Sequence, residues 1–200
     1  MPRHVDPGER RERVAGAVRR VILRDGFPAA TVRAVAAEAG LSTGALRHYF
    51  GSQAELHAYV FDMLNARADE RVAAVDQSLP LRRRVEETIW ALMPLTSEQA
   101  DDDRIRLAFF VAAQTDRSLA PIARADHDQA LGLTRRAVVA LSGPGADVEG
   151  LTAELSALLD GLAQQAAFFP ERFTAAEVRA IVRSWFDRNL ASEGPAEGTE

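Results

Sequence analysis

Along most of the chain hydrophobic residues recur at the i, i+3, i+4 spacing of a helix face, while alternating strand patterns and Asn-Gly hairpin turns are missing. The pattern predicts an all-α protein. Val14, Ala17, Val18, Val21 and Ile22 form the apolar stripe of a first helix, from about Gly8 to Asp25. Gly26 follows as a left-handed cap, and Phe27-Pro28 stops any continuation. A second helix runs from about Val32 to Ala39, with Thr31 as N-cap and Gly40 past its end, and a third from about Thr43 to Tyr49, capped by Ser42. Ser52 and Glu55 make a capping-box pattern for a fourth helix, which carries Leu56, Val60, Met63 and Leu64 inward and continues to about Ser78, before Pro80. Further helices are predicted at 81–95, 101–115, 118–142, 147–169 and 174–191, punctuated by Pro94, Pro121, the segment Ser142 to Gly145, and Pro170. Residues 1–7 and the Gly/Glu/Pro-rich tail 192–200 are expected to be disordered.

The most informative stretch is Thr31 to Phe50, a short helix, a glycine turn and a second short helix, the spacing of a helix-turn-helix. Val32, Val35 and Ala36 face the core, Leu41 plugs the turn, and Leu46 and Phe50 anchor the second helix. Gly40 is expected to let the chain reverse where a Cβ would clash. Those anchors leave Thr43, Gly44, Ala45, Arg47, His48 and Tyr49 partly or wholly outward. Arg47 can pair bidentately with guanine or meet a phosphate. Ser42 and Thr43 can donate to phosphate oxygens at the helix N-terminus, and Gly44 and Ala45 are small enough for close approach to base edges. Thr31 and Arg33 open the supporting helix and can clamp the backbone.

The charge distribution agrees. The whole chain carries a net charge of −5, yet residues 1–55 hold nine Arg against six Asp/Glu, and residues 56–200 hold fifteen Arg against twenty-three Asp/Glu. The N-terminal quarter suits a polyanion, and the acidic remainder should face away from it. All basic residues are Arg. Cysteine is absent, which excludes disulfides and thiolate metal sites, and no apolar run reaches the roughly 18–20 residues of a membrane span. The polar, arginine-rich N-terminus does not read as a signal peptide, so a cytoplasmic protein is expected. There is no glycine-rich phosphate loop, nucleophile elbow or HExxH pair, so no enzyme, catalytic residue, metal or cofactor is expected.

Residues 8–68 resemble the DNA-binding domain of the TetR family of bacterial regulators. The resemblance rests on the first helix ending at Gly26, the run Thr31…Ala36…Ala39-Gly40-Leu41-Ser42…Gly44…Leu46, the aromatic Phe50, and a fourth helix opened by Ser52. It implies a three-helix head with its helix-turn-helix at 31–50, binding a palindromic double-stranded operator. The family often has Tyr where Arg47 stands, His at Tyr49 and Lys at Gln53. The family's Tyr and Lys commonly touch phosphates, a role His48 and Tyr49 can take over in part. A helical regulatory domain over 69–191 is implied as well, binding a small organic effector and forming a homodimer, most simply a repressor released by its ligand. Trp90, Met93, Phe109, Phe110, Gln114, His127 and Phe168 are the candidate pocket residues. Leu151, Leu155, Leu158 and Leu162 of one apolar helix and Val178, Ile181 and Trp185 of the next are the candidate dimer interface, as a symmetric four-helix arrangement. The competing reading is a helical ligand-binding module that has lost DNA binding. Asp101-Asp102-Asp103 reads as a charged helix start, Arg82-Arg83-Arg84 as a solvated face, and His127, between Asp126 and Asp128, as a solvated position in its simpler reading.

Overall fold

The computed structural model describes residues 7–190, with side-chain surroundings from Arg11 onward. Among the described residues it is all helical: α1 (Pro7–Asp25), α2 (Val32–Glu38), α3 (Thr43–Tyr49), α4 (Gln53–Ala73), α5 (Leu81–Leu92), α6 (Ser97–Ala113), α7 (Ala120–Leu141), α8 (Val148–Phe168) and α9 (Ala175–Asn189). A single 3-10 turn, Phe27–Ala29, joins α1 to α2. The disorder expected of 1–7 and 192–200 lies outside the described residues, except that Pro7 opens α1.

The chain forms two compact units that do not follow a single cut. The first comprises residues up to Asp69 with Arg104–Ala125, and the second Glu70–Asp103 with residues from Asp126 onward. The boundary therefore falls inside α4, α6 and α7.

In the first unit the predicted stripe of α1 is buried as a block. Val14, Ala17, Val18, Val21 and Ile22 share a core with Phe27, Val35, Ala36, Leu46, Leu56, Val60, Phe61 and Leu64. Ile105, Phe109 and Leu119 complete it. Phe109 stacks tilted on Phe61 at 3.8 Å between centroids and meets Phe27 edge-on at 5.3 Å. The second unit closes around Ile89, Trp90, Val138, Leu155, Val178, Val182 and Phe186.

Several element ends differ from expectation, each for a local reason. Helix α4 stops at Ala73, not near Ser78, because the Asp76 carboxylate accepts from both the N–H and the hydroxyl of Ser78 at 2.8 and 2.7 Å. That turn offers the backbone an alternative to the helix. Helix α5 ends at Leu92 because Pro94 forces Met93 into extended backbone (φ −76°, ψ 148°). Helix α6 begins four residues earlier than expected. Thr96 and Gln99 form a reciprocal cap, with N–H to side-chain oxygen distances of 3.2 and 3.0 Å. The Thr-x-x-Gln signal was present in the sequence and was missed.

Candidate nucleic-acid interface

The helix-turn-helix is held by its apolar residues and punctuated by its caps. Thr31 Oγ1 accepts from the Ala34 N–H at 3.2 Å, and Ser42 Oγ from the Ala45 N–H at 3.1 Å. These two hydroxyls, predicted as phosphate contacts, are thus also N-caps. Capping uses a lone pair and leaves each O–H proton free to donate. The turn is a Schellman arrangement in which the Leu41 N–H donates to the Ala36 carbonyl at 2.9 Å and the Gly40 N–H to Ala37 at 3.1 Å. Gly40 sits at φ +64°, and a Cβ there would meet nothing within 4 Å. Its requirement is therefore backbone conformation and not the steric clash the sequence suggested. Gly26 is also not a left-handed helical cap: at φ 85°, ψ 164° it occupies a region open essentially to glycine alone.

Leu46 is fully buried, Phe50 is half-buried and packs on Tyr59 at 5.0 Å, and the Tyr59 hydroxyl donates to the Arg11 carbonyl at 3.0 Å. Those anchors leave Gly44, Arg47 and His48 exposed at i, i+3, i+4, so they share one face of α3. Thr43 and Ala45 flank that face half-buried. Tyr49 is 38% exposed and meets His48 edge-on at 5.9 Å. A Cβ on Gly44 would meet nothing within 4 Å, so nothing of the chain's own stands against that part of α3. Arg33 is exposed on the first turn of α2.

Arginines of α1 are used differently. Glu38 of α2 accepts from Arg20 at 2.6 Å and from Arg24 at 3.0 Å, and those hydrogen bonds, Arg20's first, hold its carboxyl below the usual range. They tie α2 to α1. At the start of α4, Ser52 caps the Glu55 N–H at 3.1 Å, while the Glu55 carboxylate reaches the Gly51 N–H at 2.9 Å, one residue before the partner a strict capping box would use.

Gln53 is the residue the sequence reading left without a job. Its carboxamide faces inward, bonded to Ala30, Val32 and His57. No motif in the sequence signals this, because its partners are two backbone groups and one buried ring.

The residues predicted to line a pocket fall in both units. In the first, Phe109 is fully buried core, Phe110 lies edge-on to Phe61 at 6.3 Å, and Gln114 is exposed with its amide 3.4 Å from the Phe110 carbonyl. In the second, Trp90 and Met93 are buried, His127 is exposed, and Phe168 is 47% exposed. The guanidinium carbons of Arg179 and Arg183 stand 5.8 and 6.0 Å from the Trp90 ring centre.

Most of the predicted interface residues are covered wholly or in part by their own chain. Leu155 and Val178 are fully buried, Leu162 and Trp185 nearly so, and Leu151 and Leu158 pack against the same core. Only Ile181 of that set is exposed. The opposite face of α8 is the one left open, and it presents Ala153, Ala157, Gly161, Gln164 and Phe168. The apolar stripe read from sequence marks the inside of the unit, because periodicity cannot say which chain supplies the cover.

Two further expectations change. Asp101–Asp103 lie within α6 and not at its start, and Asp102 is buried against Arg71 at 3.4 Å. The Arg82–Arg84 run is engaged: Arg82 pairs with Glu86 and Asp187, Arg83 with Glu86 and Glu87, and Arg84 donates to the Gln77 carbonyl at 3.0 Å. No helix among the described residues is long and apolar enough to cross a membrane.

Comparison with known proteins adds a consistent result. Residues 16–60 match the family model of bacterial regulatory proteins of the tetR family, and residues 80–191 match that of the C-terminal part of BetI-type transcriptional repressors. The HTH-type transcriptional regulator PksA of Bacillus subtilis is 31% identical over 189 residues, covering 91% of this chain and 90% of the relative. A transcriptional regulator from a Rhodococcus species superposes with a TM-score of 0.77 at 27% identity, covering 90% of this chain and 95% of that one. A regulator from Saccharomonospora viridis, solved with choline, superposes with a TM-score of 0.78 at 18% identity, covering 93% of this chain and 100% of that one.

Proposed function

Because the chain belongs to the TetR family and is a DNA-binding transcriptional regulator, we propose that it is a homodimeric repressor. Each copy lays α3 in a major groove and lets go when a small organic effector binds. The observation that carries the reading is the α3 face itself. Gly44, Arg47 and His48 are exposed together on a helix whose opposite side is locked by Leu46.

In this reading Arg47 reaches a guanine edge or a phosphate, and Arg33, with the Thr31 and Ser42 hydroxyls, holds the flanking backbone. His48 and Tyr49 border that contact. Two copies pair through the open face of α8 (Ala153, Ala157, Gly161, Gln164, Phe168) together with Ile181 of α9. Small residues there permit close helix approach. Pairing gives two recognition helices, which suits half-sites about 34–36 Å apart. An effector acts only through a preference for one arrangement of the protein over another. Switching from mostly competent to mostly incompetent takes roughly 5 kcal/mol of that preference. Choline, bound by the Saccharomonospora viridis neighbour, is the first compound to try.

A genomic-fragment selection with the purified protein, followed by sequencing, tests the reading. A palindrome with half-sites about one helical turn apart is the expected result. No enrichment at low salt overturns it. For the dimer, a monomeric mass at micromolar concentration is the overturning result. With a dimer in hand, Ala157→Glu should shift it towards monomer.

A further inference from the structure

Gln53, in the first turn of α4, spends its whole carboxamide inside the first unit. Its Oε1 accepts from the Val32 N–H at 3.1 Å, and its Nε2 donates to the Ala30 carbonyl at 2.5 Å and lies 2.7 Å from Nε2 of His57. The two backbone partners fix which way the amide points, since an N–H only donates and a carbonyl only accepts. The second amide proton then faces His57, whose Nε2 must accept it. His57 is therefore neutral, with its proton on Nδ1.

The placement is consequential. Val32 is the first residue of α2, and its N–H is one of the donors a helix start leaves without an internal partner. Thr31 satisfies Ala34, and Gln53 satisfies Val32. One side chain of α4 thus grips both the carbonyl entering α2 and the first N–H of α2, the helix that supports α3.

We propose that Gln53 and His57 are a positioning pair for the DNA-reading helices, and that they make DNA binding proton-sensitive. Neutral His57 holds the Gln53 amide on the start of α2, and protonated His57 expels it. This rests on the reading of α2 and α3 as the DNA-contacting elements.

Protonation puts an N–H on His57 Nε2, facing the amide N–H of Gln53. The 2.7 Å contact then sets two donors against each other with no lone pair between them. The surroundings of His57 are mixed. The Phe27 ring lies 4.4 Å away, the Asp116 carboxylate favours the charged ring, and so does the Ala30 carbonyl. Burial outweighs both, and His57 is held below its ordinary value. The unfolded chain therefore takes up the proton more readily than the folded one. The stabilisation is complete above about pH 6.5 and is lost as the pH falls from there towards the lower folded value.

The test is amide exchange at Val32 in the full chain, each rate divided by its intrinsic rate at the same pH. Anisotropy titrations on a fragment recovered by the genomic selection run alongside. Wild-type Val32 protection should fall as the pH drops below about 6.5, by up to tenfold for each unit separating the two His57 values, and affinity should fall once the pH passes the lower folded value of His57. His57→Gln keeps an acceptor for Gln53 but does not titrate, so its Val32 protection should stay flat. Gln53→Glu loses both donors to Ala30 and His57. It should start with low protection and gain it on acidification, as the carboxylate pairs with protonated His57. Equal acid dependence in wild type and His57→Gln overturns the proposal, as does a Gln53→Glu profile of unchanged sign. Flat DNA affinity at pH values where Val32 protection has been lost overturns the DNA half. If no fragment is ever recovered, the DNA-reading assignment has failed, and the exchange measurement alone decides the pair.

Discussion

Arg33 and Arg47 in the first unit, and Arg82, Arg83 and Arg183 in the second, are the same side chain in opposite circumstances. Arg33 and Arg47 are exposed and, among the described residues, make no ion pair. The other three converge on Glu86, which is only 3% exposed, at 3.4, 2.9 and 2.9 Å. Glu86 and Arg82 lie on α5, while Arg183 and the second partner of Arg82, Asp187, lie on α9. Charge in the second unit is therefore internal structure, binding two helices to each other. In the first unit it divides. Arg20 and Arg24 are committed to Glu38, and the arginines of α2 and α3 stay available. An arginine on α3 without a carboxylate can lend its charge to a phosphate or a base at no cost to the fold.

The largest effect expected is on the apolar side. Phe109→Ala removes the ring between Phe27 and Phe61 and should destabilise the protein by about 3–5 kcal/mol, read from denaturant unfolding. Glu86→Ala should come next, at about 2 kcal/mol, because three guanidinium groups lose their shared partner. The figure stays modest since Arg83 and Arg183 are nearly half exposed and can be rehydrated. If Glu86→Ala melts like wild type, the ion-pair account of the α5–α9 junction is wrong. The same substitution on the two sides of the comparison sharpens it. Arg47→Ala should weaken specific DNA binding by about 1–3 kcal/mol with little change in melting, and should flatten the salt slope only if Arg47 contacts a phosphate. Arg82→Ala should do the reverse, lowering the melting temperature without touching affinity. The smallest expected effect is that of Ser42→Ala, about 1 kcal/mol of stability from the lost α3 cap. A further loss of DNA affinity in that variant would assign the hydroxyl a phosphate contact as well.

Most of the α2–α3 site was legible in the chain because its cues are local. Thr31 and Ser42 cap the helices they were expected to cap, Gly40 ends α2, and Leu46 is buried where the helix period puts it. The apolar helices of the second half were legible as helices, but their partner was not. Leu155 and Val178 read as a surface for a second copy and are sealed against their own chain, leaving the Ala/Gly side of α8 outward. Burial has no direction in a sequence, and a stripe of leucines looks the same whoever covers it.

By itself the sequence determined the helices, their caps, the turn at Gly40, and which unit would be basic. These follow from interactions within a few residues and from counted charge. The tertiary structure alone decided that Glu86 would gather three arginines, that the first unit would draw Ile105, Phe109 and Leu119 from far along the chain, and that Gln53 would turn inward onto Ala30, Val32 and His57. Apart from the helix neighbours Arg82 and Arg83 of Glu86 and His57 of Gln53, those contacts join residues more than 20 positions apart. Whether a polar side chain faces solvent or an internal partner depends on which donor or acceptor folding leaves unsatisfied beside it.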